Sequence, residues 1–152
     1  MIGLDCNILV QLAMADHPAH QKSLDAVQAE IDRGETLVFP PMVGTEFLHI
    51  VTDERRFKPP LTMAEATQWL DDFASEPSVN VIIASPASLT LTTAWIRTHN
   101  LGRKRILDTH LAAVLHSHRI SRLLTSNPSD FALFKVIQTV TPWPRADDRH
   151  DL

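Results

Sequence analysis

The chain has 152 residues, room for one domain with a single core, and its 44% hydrophobic and 21% charged composition is that of a globular protein, not a disordered one. A formal net charge of −4 argues against indiscriminate nucleic-acid binding without excluding one basic groove, and the lone Cys6 excludes an internal disulfide and a cysteine-based zinc site. No run approaches the roughly 20 apolar residues of a membrane span, and the start has neither a basic leader nor a small-residue cleavage site, so a cytoplasmic chain with no membrane partner is expected.

Ile2-Gly3-Leu4 reads as a short strand ending at Asp5, and the apolar density from Asn7 to Ala15 reads as a buried helix. Asp16-His17-Pro18 breaks that pattern. Leu24, Val27 and Ile31 recur at helical spacing until Gly34 stops a second helix, and Thr36 to Phe39 is the next strand. Pro40-Pro41 can open a helix, where a missing N–H costs nothing, and Val43, Phe47, Ile50 and Val51 form its apolar stripe with Glu46 at the margin.

Pro59-Pro60 ends that segment, and Thr62 with Glu65 has capping-box spacing at the head of a helix through Trp69, Leu70 and Phe73. Val79 to Ile83 predicts a strand, and Pro86 to His99 a helix built on Leu89, Thr93 and Ile96. After the basic turn Gly102-Arg103-Lys104-Arg105 comes a helix from Ile106 to His118, with Leu107, Leu111, Val114 and Leu115 on one face and Asp108 near its start. Leu123 to Thr125 makes a strand, Ser126 to Phe134 a loop with one helical turn, and Val136 to Val140 a last strand. No repeat or low-complexity tract appears. Strands alternating with helices predict an α/β fold, a three-layer α/β/α sandwich on a mainly parallel sheet, with one domain over residues 1–144 and a polar tail over 145–152.

In such sheets the functional site lies beyond the C-terminal ends of the strands. Asp5 follows the first strand, and Asn127 and Asp130 follow a later one, so distant segments deliver polar side chains to the same kind of place. Glu46 and Asp108 come from helices, each beside an apolar stripe, where a carboxylate points along the edge of the core. No Lys or Arg at helical spacing neutralises all of these acids, and crowded carboxylates repel one another unless a cation lies between them. Oxygen-only ligands select Mg²⁺ or Mn²⁺ over zinc, and Mg²⁺ takes one or two carboxylates, several waters and a substrate phosphate.

Four segments carry a family resemblance. Ile2-Gly3-Leu4-Asp5-Cys6-Asn7-Ile8-Leu9 resembles the opening of PIN-domain proteins, which usually read apolar-Asp-Thr-Asn. Val43-Gly44-Thr45-Glu46-Phe47 is similar to the helix with the family's second acid, and Ile106-Leu107-Asp108-Thr109-His110-Leu111-Ala112-Ala113 to its third-acid helix. Leu124-Thr125-Ser126-Asn127-Pro128-Ser129-Asp130-Phe131 is similar to its last motif, and the order is the family's. The length resembles the compact VapC toxins. Cys6 stands where Thr or Ser is commoner, and Asn127 where many members carry a fourth Asp, so that position brings an oxygen but no charge.

The resemblance implies a PIN-like fold and an endoribonuclease, the toxin of a type II toxin-antitoxin pair. It also implies hydrolysis of RNA by a metal-activated water, with Asp5, Glu46 and Asp108 holding Mg²⁺ or Mn²⁺, an RNA substrate, a cognate antitoxin and a homodimer. Asn7, Thr125, Asn127 and Asp130 would support the site: Thr125 by orienting a carboxylate, Asp130 either through water on the metal or by capping the following turn. Arg103, Lys104 and Arg105, and less so Arg55, Arg56 and Lys58, could track RNA phosphates, although basic clusters are often merely solvated.

Plainer roles exist for each residue taken singly: Asp5 and Asp108 as helix caps, Glu46 as an exposed helix residue, Thr109 as packing. Helices Met42–Val51 and Trp69–Phe73 serve equally as core or as interface. Two rival functions are a phosphohydrolase with Asp5 as covalent nucleophile and a catalytically weak PIN-like module that binds RNA or protein. The first normally has a second Asp two residues on, where this chain has Asn7.

Overall fold

The computed structural model describes residues 1–143; the boundary at 144 and the tail over 145–152 lie outside the described residues. Five strands, β1 (Ile2–Leu4), β2 (Leu37–Phe39), β3 (Val79–Val81), β4 (Arg122–Leu124) and β5 (Gln138–Val140), form one sheet. Its order is β3-β2-β1-β4-β5, and every pairing is parallel. Six helices alternate with them: α1 (Cys6–Ala13), α2 (His20–Asp32), α3 (Pro41–Val51), α4 (Met63–Ala74), α5 (Pro86–Thr98) and α6 (Ile106–Ser117). Helices α1 to α4 pack as one set and α5 with α6 as another, flanking the sheet as expected for a PIN-like sandwich.

Both faces of β1, β2 and the end of β4 are covered, so Ile2, Leu4, Val38, Leu123 and Leu124 are fully buried, as continuous apolar runs in parallel sheets should be. Gly3 permits the closest layer contact. A Cβ there would lie 2.7 Å from both Leu115 methyls, so α6 rests directly on the central strand.

Helix ends follow from local chemistry. Thr62 and Glu65 form the anticipated capping box, with bonds of 3.2 and 2.8 Å. Gly34, at φ +81°, ends α2 in the left-handed region. Pro41 opens α3, whose Val43, Phe47 and Val51 are buried. Trp69 stacks on Phe73 at 5.0 Å and meets Phe47 at 4.9 Å with tilted rings, so the aromatic part of these helices is occupied within this chain.

Several expected faces turn out differently. Leu24, Leu89 and Leu107 are 38%, 59% and 51% exposed, while Ser23, Ser88, Thr92 and Thr109 are buried in their places. On α5 the reason is visible: Thr92 Oγ1 bonds the Ser88 carbonyl at 2.7 Å and His110 Nδ1 at 2.9 Å, so this helix meets α6 through a polar seam. The outer strands are also shorter than the apolar runs implied. Val81 and Ile83 are exposed at the β3 edge, and β5 starts at Gln138, not Val136.

Candidate functional site

The central strand has β2 on one side and β4 on the other, so the connections from β1 and β4 diverge at their C-terminal ends and leave a crevice between them. Asp5 leaves β1 into that crevice and caps α1, its Oδ1 accepting from the Cys6 N–H at 2.7 Å. Its backbone N–H donates to the Leu124 carbonyl at 3.0 Å, which extends the β1–β4 pairing up to the site. Capping occupies one carboxylate oxygen and leaves the second for other partners.

The other carboxylate oxygen of Asp5 accepts from Thr125 Oγ1 at 2.6 Å and from Asn7 Nδ2 at 2.8 Å. Asn7 reaches across in turn: its Oδ1 accepts the Ser126 N–H at 3.1 Å. Thr125 Oγ1 accepts the Asn127 N–H at 3.0 Å. Thr125 therefore orients the carboxylate as the sequence reading expected. Thr109 does not, since its hydroxyl donates to the Arg105 carbonyl within α6 at 2.6 Å.

Glu46 projects from α3 and Asp108 from the first turn of α6 toward the same place. A cavity of about 540 Å³ is lined by Asp5, Asn7, Glu46, Asp108, Asn127 and Asp130, together with Gln11, His17, Arg56 and Phe57. All the acids picked out in the sequence meet there. Arg103 and Lys104 do not; they lie exposed on a 3-10 turn. Arg105 is different. Its guanidinium donates to the Asp130 carbonyl, and its Nε stands 3.8 Å from Asp108 with no hydrogen-bond partner among the described residues.

The electrostatics of the cavity are those of too many acids. Burial raises the Asp5 carboxyl above its ordinary range, against the bonds from Thr125, Cys6 and Asn7, and Asp130 raises it further. Burial and then the charge of Asp5 raise Glu46, with Arg56 and His49 opposing. Asp108 is pushed up to about 6 by burial and by Asp5 and Asp130, with only Arg105 relieving it. The thiol of Cys6 is raised by burial and by Glu46 and Asp5, so it is held neutral and unreactive.

The acids fit a hard divalent cation: the four carboxylates offer oxygen ligands, they raise one another, and added positive charge would relieve them all. Among the described residues no three His, Cys, Asp or Glu side chains meet at ligating geometry. Such closure is not needed by Mg²⁺, which takes one or two carboxylates and keeps several waters. Of the lesser basic cluster named from sequence, Arg56 reaches the cavity wall. Sequence reasoning did not find Gln11 or Ser126, for which the available signal was an amide in an otherwise apolar helix, four residues after Asn7.

The PIN-domain family model matches residues 2–135. Ribonuclease VapC33 of Mycobacterium tuberculosis is 26% identical over 146 residues, which covers 93% of this chain and 98% of that protein. A toxin-antitoxin complex from Klebsiella pneumoniae aligns with a TM-score of 0.65 at 19% identity, covering 95% of this chain and 100% of the matched chain. VapBC2 from Rickettsia felis, bound to a DNA fragment from their promoter, gives 0.66 at 17% identity over 93% and 98%. These structures share the fold of this chain. With the family model spanning nearly all the described residues and the four acidic motifs falling around one crevice in the expected order, the chain belongs to the PIN-domain family.

Proposed function

We propose that the protein is a metal-dependent endoribonuclease and the toxin of a toxin-antitoxin pair. One observation carries the reading: Asp5, Glu46, Asp108 and Asp130, drawn from four separate segments, line one cavity, and among the described residues no arginine or lysine is bonded to the Asp5 or Glu46 carboxylate. Relatives named as VapC ribonucleases and a fold shared with toxin-antitoxin complexes support it.

Asp5, Glu46 and Asp108 would hold Mg²⁺, with Mn²⁺ able to substitute. When bound, such an ion offsets charge on the attacking and leaving oxygens and makes water easier to deprotonate. Thr125 and Asn7 fix the Asp5 carboxylate so that its remaining lone pairs face the cavity. Asn127 adds an uncharged carbonyl oxygen at the rim. Arg105 ties the Asp130 turn to the start of α6 and keeps Asp108 at the cavity wall. Arg56, the cation on the Glu46 side, is placed to meet a substrate phosphate, whereas Arg103 and Lys104 would act further along the RNA. The partners of this reading are RNA, a cognate antitoxin protein and a second copy of the chain.

The test is cleavage of total cellular RNA by purified protein with Mg²⁺, Mn²⁺ or chelator, with the ends mapped and Asp5→Asn as control. Metal-dependent cuts leaving 5′-phosphate and 3′-hydroxyl ends, absent from the variant, are expected. RNA binding with no cutting under either metal would favour a binding module that has lost catalysis.

A further inference from the structure

Gln11 is a buried polar side chain in the cavity wall that the acid chemistry leaves unexplained. It is 6% exposed on α1, beside the buried Ile8, Leu9 and Leu12, where a buried amide must find partners for both its oxygen and its nitrogen. It finds them on two other segments. Its Oε1 accepts from Ser23 Oγ at 2.6 Å and from Ser126 Oγ at 3.0 Å, and its Nε2 donates to Ser126 Oγ at 2.7 Å. Ser23, fully buried on α2, thereby sets which way the amide faces.

Asn7 and Gln11 are four residues apart and rise from the same side of α1. Asn7 accepts the Ser126 main-chain N–H at 3.1 Å while Gln11 holds the Ser126 hydroxyl, so this residue is gripped at backbone and side chain from consecutive turns of one helix. Ser126 lies between Thr125, which orients Asp5, and Asn127, which lines the cavity. Any slip of Ser126 displaces both neighbours, because the Asn127 N–H also bonds Thr125 Oγ1 at 3.0 Å.

We propose that Gln11, braced by Ser23, is a positioning residue that fixes the 125–127 segment and through it the carboxylate of Asp5. This rests on the reading of the cavity as a metal-dependent ribonuclease site. Removing the clamp leaves the acids in the chain but lets Thr125 and Asn127 move, so the loss falls on metal affinity and turnover, not on capture of RNA.

The test compares wild type with Gln11→Leu, Ser126→Ala and Ser126→Thr in three measurements. Amide hydrogen exchange of Ser126 and Asn127 is read on metal-free protein, Mn²⁺ binding is read from loss of the free-ion paramagnetic resonance signal, and kcat and KM are read on a single-stranded RNA that wild type cuts. Expected for Gln11→Leu and Ser126→Ala are faster exchange at those two amides, about tenfold weaker Mn²⁺ binding, and about tenfold lower kcat with KM little changed, the usual scale for partners that orient metal ligands. Ser126→Thr, which keeps the hydroxyl, should restore all three. Wild-type Mn²⁺ affinity and kcat in folded Gln11→Leu, with only a lowered Tm, would overturn the proposal. Should Gln11→Leu not fold, Ser126→Ala, at a half-buried position, decides the same question. Should wild type cut no RNA, the ribonuclease reading falls, and the exchange and Mn²⁺ measurements still decide the role of Gln11.

Discussion

The two ends of the parallel sheet treat buried acids in opposite ways. Where the strands begin, Glu30, its side chain only 2% exposed, receives two bonds from Arg122 at 2.8 and 3.0 Å and one from Arg33 at 2.6 Å. Beside it Glu35 accepts from Arg122 at 3.0 Å and from the amino group of Met1. Where the strands end, among the described residues Asp5 has neutral donors alone, and the cation paired with Asp108, Arg105, stands 3.8 Å away. One end is neutralised by the protein itself, whereas the other is left short of positive charge. A fold that can pair a buried carboxylate so fully at one end has left the other end short of such partners, the arrangement that the proposed cation site would need.

The largest effect should come from removing an acid at the deficient end. Asp5→Asn or Asp108→Asn is predicted to lower RNA cleavage by about 100-fold or more, the scale of losing one preorganised electrostatic contact, with an unchanged circular dichroism spectrum. Cutting at the wild-type rate by either folded variant would break the contrast.

At the neutralised end, Arg122→Met should leave Glu30 buried with only the exposed Arg33 as partner. We predict a loss of about 3 kcal/mol in urea unfolding, with cleavage by the folded protein retained. A drop in cleavage equal to that of Asp5→Asn would mean that the two ends are not separate in function.

The third prediction concerns pH. Asp108 has a folded pKa of about 6 against 3.8 for the free group, so the folded state binds its proton more tightly and stability falls as pH rises from about 4 to 6. His17 and His110, both lowered by burial, push the other way as pH falls through 6.5. The effect is therefore read as the difference in urea unfolding free energy between wild type and Asp108→Asn without metal. That difference should favour the variant at pH 7.5 by up to about 2 kcal/mol, shrink at pH 4.5, and shrink also when millimolar Mg²⁺ is added at pH 7.5. A pH-independent difference would show that Asp108 carries no excess charge.

The smallest effect is expected from Asn127→Asp, which adds a fifth acid to the cavity wall. Mn²⁺ affinity should rise roughly threefold, since ligand charge tunes affinity at oxygen sites, while metal-free stability declines. Weaker Mn²⁺ binding would show that Asn127 faces away from the ion.

Much of this arrangement was legible from residue order. Strand ends at Leu4 and Leu124 and the helices carrying Glu46 and Asp108 could be read from periodicity, and the four acidic segments pointed to one end of the sheet before any coordinates. The Thr62 capping box was visible because its chemistry lies within four residues. What escaped depended on partners far away in the chain. Gln11 looks like a defect in an apolar helix until Ser126, 115 residues later, arrives beside it. The α5 face was misjudged for a similar reason: spacing shows that Leu89, Thr93 and Ile96 share a side, but the side that meets α6 is the one bearing Ser88 and Thr92. Arg105 reads in sequence as part of a basic run that could track RNA phosphates, and only the fold turns it back toward Asp108 and Asp130.

The pairing of β1 with β4 also has a consequence for the order of events during synthesis. Thr125 and Asp5 are 120 residues apart, and β4 is the element that brings them together. On a ribosome, β1 can find β2 early, but Asp5 must wait without its orienting hydroxyl until β4 and Thr125 have emerged. The acidic centre is therefore absent from any nascent fragment that stops short of Thr125, and a cell translating this protein meets an assembled site only after that point.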